Sequence, residues 1–444
     1  MTRLLLFAFL LMAIFARAQN APLPVLCGND AFDYILRHKY PDLHQAFQAS
    51  FEENLKRAPA VANRSPLTIR VVVHVVWKNP EENLADSIIL SQIAVLNEDY
   101  NRENADTANL RPVFQPVAGN PQIKFELAEI VRVKTTGTFK LNLSTGDLMS
   151  NLKSGNQGGS DPWDPSAYLN LWICKIQPLS LGGIPLGQIL GFAFPPNNLS
   201  HWPADSGAPT ANQDGVALDF RVVGRNNPNT VEIPGGTGNL VVRGRTATHE
   251  IGHYLGLRHI WGDGGLLGLP NDCDQSDGID DTPFANAQSA FDCDTSRNTC
   301  SQVEPFYGMD VPDLVENYMD YASESCMNMF TRGQVNMLQS VLAGPRSGLV
   351  QGSSGIAQAA PEAQPKLYPN PTRESVRLYI PADWPAITAI DIAGADGRIQ
   401  TLPLPRATGG GQIDLDTRNW PAGWYAVRVQ TANGVWTERL LVMR

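Results

Sequence analysis

The stretch HEIGHYLGLRH, residues 249–259, constrains this chain more than any other feature of its sequence. It places three of the seven histidines of the 444-residue chain within eleven residues. Residues i and i+4 share one face of a helix, so His249 and His253 project their imidazoles in the same direction. Gly256 tolerates the positive φ that ends a helix, and the chain can then bring His259 back to the same point. The spacing therefore predicts three nitrogen ligands for one metal ion.

Glu250 lies one step round the same helix, where its carboxylate can reach a water on the ion without being a ligand. Three neutral imidazoles leave a fourth tetrahedral position for water, which is the arrangement of a catalytic zinc site. A structural zinc site would more often recruit thiolates and would not need Glu250. A chance HExxH match arises in roughly one chain in a hundred of this length. The added glycine and third histidine make coincidence about a thousandfold rarer, so the pattern favours catalysis.

The first 18 residues predict an export signal. Arg3 supplies a positive start, residues 4–15 are apolar, and Ala16-Arg17-Ala18 offers a cleavage site. The apolar run is shorter than the roughly 20 residues that span a bilayer, so we expect no membrane span. A net charge of −10 argues against nucleic acid and anionic membranes as partners. A secreted or cell-surface protein is expected.

The remaining sequence divides by pattern. Leu67 begins an eleven-residue β-branched strand signal, and later strand-like runs alternate with few helices before a loop-rich stretch. This order predicts an α+β domain. Asp86 is expected to cap a helix over 87–100, and Thr331 with Gln334 has the spacing of a capping box. The predicted divisions are a signal peptide (1–18), a propeptide (19–60), a catalytic domain (61–345), a linker (346–365) and a small all-β sandwich (366–444).

The zinc motif and the segments after it resemble a known family. HEIGHYLGLRH matches the HExxHxxGxxH element of the metzincin metallopeptidases, whose second hallmark is a methionine beneath the metal. ENYMDY supplies Met319 at that place, with Tyr321 two positions on. HIWGD, DDTP, ENYMDYASESC and MFTRGQ follow in the order of the pappalysin (cytophagalysin) family, which the chain resembles over about residues 60–345.

This resemblance implies a metzincin catalytic domain, with a mixed sheet and active-site helix above an irregular lower subdomain. It implies a zinc-dependent endopeptidase that hydrolyses peptide bonds in proteins and is made as a latent zymogen. Glu250 would be the general base, and Tyr321 would help to stabilise the tetrahedral intermediate. Met319 would pack under the histidines without reacting.

Four of the six cysteines lie in the loop-rich stretch after the zinc motif. Their spacing alone leaves three pairings open. The family resemblance implies the pairs Cys273–Cys300 and Cys293–Cys326. Cys174 lies in a strand-like apolar run and is expected to be a buried thiol.

The resemblance also implies calcium in the loops after the zinc helix. Asp277, Asp281 and Thr282 are the expected oxygen donors, together with backbone carbonyls such as that of Ile279. The alternative is an acidic turn that is simply solvated.

Glu324, five residues after Met319, stands where some pappalysins that cut before Arg or Lys have an acidic residue. A carboxylate at the bottom of the pocket would pair with a cationic side chain on the carboxyl side of the cut. The alternative is an exposed loop glutamate.

Cys27 precedes the catalytic domain in the expected propeptide. Its thiolate could occupy the fourth position on zinc until the propeptide is cut after a basic residue such as Arg57 or Arg64. The alternatives are a stray thiol or a third disulfide with Cys174.

The tail from Leu367 resembles the C-terminal sorting domains of type IX secretion systems, because LYPNP opens it and a strand ending LLVMR closes it. Protein and peptide substrates and the type IX secretion machinery of a bacterial outer membrane are the implied partners. A carbohydrate- or protein-binding module is the rival for the tail. A catalytically silent, zinc-stabilised adhesin is the rival for the whole chain, and Glu250 with its open metal position favours the enzyme.

Overall fold

A computed structural model describes most of the chain as two compact units, Met1–Ser353 and Ser354–Arg444. The expected signal peptide, Arg57, Arg64 and residues 351–364 of the expected linker lie outside the described residues. The described residues are 25–39, 41–42, 45, 49, 67–143, 145–181, 184–197, 207–233, 238–262, 272–273, 276–350, 365–368, 372–380, 387–394, 399–402, 411–431 and 434–443.

The first unit combines short helices with a mixed five-stranded sheet. Its α-helices are α1 Gly28–Lys39, α2 Asp86–Tyr100, α3 Arg245–Tyr254 and α4 Arg332–Ala343. Its strands are β1 Val25–Leu26, β2 Leu67–Trp77, β3 Ala118–Gly119, β4 Ile123–Lys134, β5 Leu141–Asn142, β6 Asp147–Leu148, β7 Leu169–Cys174, β8 Leu179–Leu181, β9 Ile184–Ile189, β10 Gly191–Ala193, β11 Val216–Asp219 and β12 Phe330–Thr331.

The main sheet has the strand order β10-β11-β7-β2-β4. Strands β4, β2, β7 and β11 run parallel, and β10 closes the edge antiparallel to β11. The β-branched run of β2 fits this central place, because a parallel strand covered on both faces carries continuous apolar residues. Val71 and Val73 face one core with helices α2 and α3, whereas Val76 and Trp172 belong to the core on the opposite face.

Two helix ends test the capping expectations. Thr331 and Gln334 form the expected capping box at the start of α4. The expectation for Asp86 is wrong: α2 begins at Asp86 itself, with Ala85 as the N-cap residue and no side-chain cap. The Asp86 carboxylate instead pairs with Arg132 on β4. This pair joins helix α2 to strand β4 and makes no local cap.

The second unit is all-β among its described residues. Strands β13 Lys366–Tyr368, β14 Ser375–Ile380 and β17 Gly411–Asp416 form one antiparallel sheet, in the order β13-β14-β17. The other sheet has the order β16-β15-β18-β19, built from β15 Ile387–Gly394, β16 Ile399–Leu402, β18 Gly423–Thr431 and β19 Gly434–Val442. One apolar cluster draws on both sheets, with Leu378 from the first and Val427 from the second. The expected fold class, α+β followed by an all-β sandwich, is confirmed.

Within the described residues, no helix has the length and apolar character that crossing a membrane requires.

Candidate metal and active site

Helix α3 and the turn after it bring the three histidines together. Nε2 of His253 lies 3.0 Å from Nε2 of His249 and 3.1 Å from Nε2 of His259. Gly256 has φ +94°, so the residue expected to end the helix does adopt the left-handed conformation. The chain reverses there and brings His259 next to His253.

The outer nitrogens show which way these rings are protonated. Nδ1 of His249 donates to the carbonyl of Tyr318 at 2.8 Å, and Nδ1 of His253 donates to that of Leu257 at 2.9 Å. These contacts leave unprotonated Nε2 atoms pointing at one another. Burial lowers the pKa of His249 to about 4 and that of His253 well below its ordinary value. Neutral imidazole lone pairs that converge at 3 Å repel one another without a cation between them, so this donor set fits a metal ion.

Cys27 adds a fourth donor to this group. Its Sγ and the ligand nitrogens of the three histidines all lie within 4.8 Å of one another. The residue follows β1, which pairs parallel with Gln188 and Ile189 of β9. Cys27 and Cys174 are both free and buried, so the alternative of a third disulfide between them is wrong.

Glu250 points into the same space from α3. Its side chain is 1% exposed, and burial raises its pKa to about 8. Oε1 accepts a hydrogen bond from Sγ of Cys27 at 3.4 Å, and Oε2 has no partner among the described residues. Gly191 on β10 makes room for it, because a Cβ there would lie 2.4 Å from Oε1. The carboxylate is therefore held beside the three histidines, with one oxygen lacking a partner among the described residues.

Met319 and Tyr321 lie below and beside the histidines. Sδ of Met319 packs so close to Gly252 of α3 that a Cβ on the glycine would lie 2.4 Å from it. The Tyr321 ring lies 5.6 Å from that of His249 and 5.2 Å from that of His259, measured between centroids. Its hydroxyl accepts a hydrogen bond from the backbone N–H of Cys27 at 2.7 Å.

Glu324 is buried, not exposed, and lines an apolar pocket next to His249 and Glu250. Its Oε1 accepts from the backbone N–H and the hydroxyl of Thr246, at 2.8 and 2.7 Å. Its Oε2 accepts from the backbone N–H of Arg243. Since α3 has the N-cap Gly244 without a side chain, Glu324 supplies the missing acceptor to the first turn of the zinc helix.

The expected calcium ligands form a buried group with unused oxygens. Oδ2 of Asp277, Oδ1 of Asp281 and Oγ1 of Thr282 are buried without a hydrogen-bond partner in the part of the chain that the structure describes. Burial raises the pKa of Asp277 well above its ordinary range, and nearby Arg258 offsets only part of this rise. A solvated turn is therefore excluded, because buried carboxylates need a cation or hydrogen bonds.

The loop-rich stretch is cross-linked by the disulfides Cys273–Cys300 and Cys293–Cys326, the pairs that the family resemblance implies.

Two residues of the site were not predicted from the sequence. Asp30 of α1 contacts Tyr321 and His259, although no motif marks it. Asp99 of α2 anchors α3 from behind: its carboxylate accepts from the hydroxyls of Thr248 and Tyr318, at 2.8 and 2.9 Å. Burial raises the pKa of Asp99 to about 6. A polar residue on the apolar face of the predicted helix 87–100 was the only available signal for Asp99.

The mixed sheet, the helix carrying two histidines and the methionine beneath them define a metzincin-type metalloendopeptidase. Residues 240–343 match the peptidase family described as "Pregnancy-associated plasma protein-A", the pappalysins. Residues 366–443 match the "Secretion system C-terminal sorting domain". The chain belongs to the pappalysin family of metallopeptidases and carries a type IX secretion sorting domain.

Relatives and solved structures agree with this assignment. "Extracellular metalloprotease 1" of Coccidioides posadasii is 30% identical over 64% of this chain and 80% of its own length. A promirolysin mutant of Tannerella forsythia is 32% identical, covers 73% of this chain and 97% of that chain, and superposes with a TM-score of 0.56. Mature mirolysin from the same organism, in complex with a cleaved peptide, is 33% identical over 65% and 97% of the chains, with a TM-score of 0.52. The protein is a secreted zinc endopeptidase made as a zymogen, and the adhesin alternative falls away.

Proposed function

We propose that His249, His253 and His259 hold a catalytic zinc ion and that Glu250 is the general base of peptide hydrolysis. The convergence of three Nε2 atoms carries this proposal, because neutral imidazole lone pairs about 3 Å apart are stabilised by a cation between them. When bound, zinc supplies Lewis-acid chemistry that makes water a nucleophile near neutral pH.

Glu250 takes the proton of the attacking water and passes it to the leaving amine. Its Oε2, without a hydrogen-bond partner among the described residues, is placed to accept that proton. The Tyr321 hydroxyl, once free of the prosegment, stabilises the oxyanion that forms at the scissile carbonyl. Met319 keeps the floor of the site packed against Gly252.

Replacing Glu250 tests these roles. Glu250→Ala should lower kcat of the mature enzyme by about 10²- to 10⁴-fold, because the general base is lost. Its zinc content should remain stoichiometric, since Glu250 is not a ligand. Glu103→Ala, at an exposed glutamate, is the matched control and should keep full activity. Retained turnover in Glu250→Ala would refute the assignment.

We also propose that Cys27 keeps the zymogen latent by completing the metal ligand set. Its Sγ lies within 4.8 Å of every ligand nitrogen and beside Glu250, so it fills the place where water must bind. The Cys27→Ala zymogen should cleave a small peptide before its prosegment is removed. Cys174→Ala, at the other free buried thiol, should stay latent. A fully latent Cys27→Ala zymogen would contradict the switch.

Glu324 is proposed to select Arg or Lys on the carboxyl side of the cut. Its buried carboxylate lines a mainly apolar pocket next to Glu250, and a carboxylate with about four acceptor positions has room for a further donor. Peptides with Arg or Lys at that position should be cleaved faster than the Ala peptide. Glu324→Gln separates the two roles of this residue, because it keeps an acceptor for Thr246 but removes the charge. Equal cleavage of the Ala peptide by the unmutated enzyme would end the idea.

A calcium ion is proposed between Asp277, Asp281 and Thr282, with the Ile279 carbonyl near by. Three buried oxygens without partners support it, because hard oxygen ligands are what calcium requires.

The chain divisions and the tail complete the proposal. The divisions are a signal peptide (1–18), a prosegment (19–60), a catalytic domain (61–345), a linker (346–365) and a tail (366–444) recognised by the type IX secretion machinery. Deleting the tail should leave the protease in the periplasm of a producing bacterium. An immunoblot of the medium should then show no protease. Normal release of the truncated chain would contradict the sorting role.

A further inference from the structure

Asp30 occupies a position in the site that neither latency by Cys27 nor hydrolysis by Glu250 uses. It lies in the first turn of α1, three residues after the thiol, and is 5% exposed. Its backbone N–H donates to the carbonyl of Cys27 at 3.2 Å, so one hydrogen-bonded backbone turn carries both the carboxylate and the thiol. Burial of a carboxylate is costly unless charged or polar partners compensate it.

Two groups of the proposed metal site contact this carboxylate. Oδ1 of Asp30 lies 3.2 Å from Nδ1 of His259, and Oδ2 accepts a hydrogen bond from the Tyr321 hydroxyl at 2.8 Å. Trp261 stacks on His259 with ring centroids 4.5 Å apart and an interplanar angle of 6°. The ring therefore has one orientation, with Nε2 towards the other histidines and Nδ1 towards Asp30.

The three histidines differ in which part of the chain supplies the group that faces Nδ1. Nδ1 of His249 and Nδ1 of His253 face backbone carbonyls of the catalytic domain, which remain after activation. Nδ1 of His259 faces a side chain of the prosegment, which does not remain. A carboxylate behind a ligating histidine fixes its tautomer and makes it a stronger ligand.

We infer that Asp30 is an outer-sphere partner of the metal centre in the zymogen, so that the prosegment retains zinc as well as blocking the site. This inference rests on the proposed zinc site and on Cys27 as its fourth ligand. Asp30 also occupies the Tyr321 hydroxyl, which donates to it while accepting from Cys27 N–H. One carboxylate thus holds a metal ligand and a catalytic hydroxyl in the latent state.

The rate of zinc release from the intact full-length zymogen tests the inference. A chromophoric chelator measures the released zinc, and a gel checks that the chain stays intact. Asp30→Asn should release zinc about 10- to 100-fold faster, because loss of an outer-sphere partner typically lowers metal affinity by that factor. Asp33→Asn is the matched control, because Asp33 is also buried on α1 but pairs with Arg37. It should release zinc at the wild-type rate. An Asp30→Asn rate equal to wild type would overturn the inference.

A cobalt-substituted zymogen separates this role from that of Cys27. Asp30→Asn should keep the thiolate-to-cobalt charge-transfer band, whereas Cys27→Ser should lose it. Loss of the band in Asp30→Asn would mean that Asp30 acts through the thiol, and would overturn the inference. Should Asp30→Asn fail to fold, the Cys27→Ala zymogen should still hold zinc longer than the mature enzyme, and equal release rates would overturn it. A wild-type zymogen without stoichiometric zinc would instead refute the proposed zinc site.

Discussion

Residues 67–261 differ from residues 272–273 and 276–331, the loop-rich second region, in how they hold their functional groups. In the first region, helix α3 is fixed by the sheet and by α2, where Asp99 accepts a buried hydrogen bond from Thr248 and Tyr100 donates one to the Thr248 carbonyl. In the second region, regular structure is almost confined to the two-residue strand β12. Two disulfides and a group of buried, unsatisfied oxygens replace it there. The first region should therefore respond to changes in packing and buried charge, and the second to reductant and calcium.

The largest effect is expected in the first region. Arg245 of α3 is 4% exposed and donates to Asp106 at 2.6 and 2.8 Å, with Asp99 3.5 Å away. Arg245→Met should lower the free energy of unfolding by about 3–5 kcal/mol, because it leaves the buried Asp99 and the partly buried Asp106 without their main cation. Arg243→Met is the control, since this guanidinium is half exposed and 3.6 Å from Asp106. Urea unfolding would measure both, and equal losses would contradict the argument.

The second region should depend on its cross-links. Replacing Cys273 and Cys300 together with serine opens a disulfide with a sequence separation of 27. The free energy of unfolding should fall by about 3 kcal/mol, because the unfolded chain gains freedom. Hydrogen exchange should rise in residues 276–330 and stay unchanged in β2. A uniform rise in both regions would remove the distinction between them.

Calcium removal should destabilise the second region slightly less than loss of the disulfide does. Calcium at a hundred times its Kd stabilises the native state by about 2.7 kcal/mol, so chelation should lower Tm by the corresponding amount. Asp277→Asn should abolish this calcium-dependent gain, whereas Asp280→Asn should keep it. Asp280 is exposed three residues along the same loop, which makes it the matched control. Calcium-independent melting of the unmutated chain would contradict the proposed site.

The smallest effect is expected for a single buried hydroxyl in the first region. Tyr100 donates to the carbonyl of Thr248 at 3.0 Å, just before the first histidine. Tyr100→Phe should cost about 1 kcal/mol, the usual net value of such a hydrogen bond. The loss should be the same with and without calcium, as thermal melts under both conditions would determine. A calcium-dependent loss would mean that the two regions are coupled.

The sequence predicted those parts of the site whose geometry is local. His249 and His253 share a helix face because of their spacing, and Gly256 turns the chain back for His259. Strand β2 was predicted to the residue from its apolar run. Asp86 was mispredicted as a cap because α2 starts one residue earlier than expected, which puts Asp86 in the first turn, where its carboxylate pairs with Arg132 of β4. A shift of one residue at a helix end is within what local sequence preferences leave undecided.

By itself, the sequence determined the cluster of three histidines with Glu250 beside it, the all-β character of the tail and the export route, and it predicted the metal-binding and catalytic roles of the cluster. Periodicity and motif spacing fix these features, since they depend on residues a few positions apart. Only the tertiary structure decided that Asp30 meets Tyr321 across 291 positions, and that Glu324 caps the zinc helix from 78 positions away. Such contacts depend on how the chain folds back on itself. The sequence does not predict them, because buried polar groups find hydrogen-bond partners that are distant along the chain and are brought close only by folding.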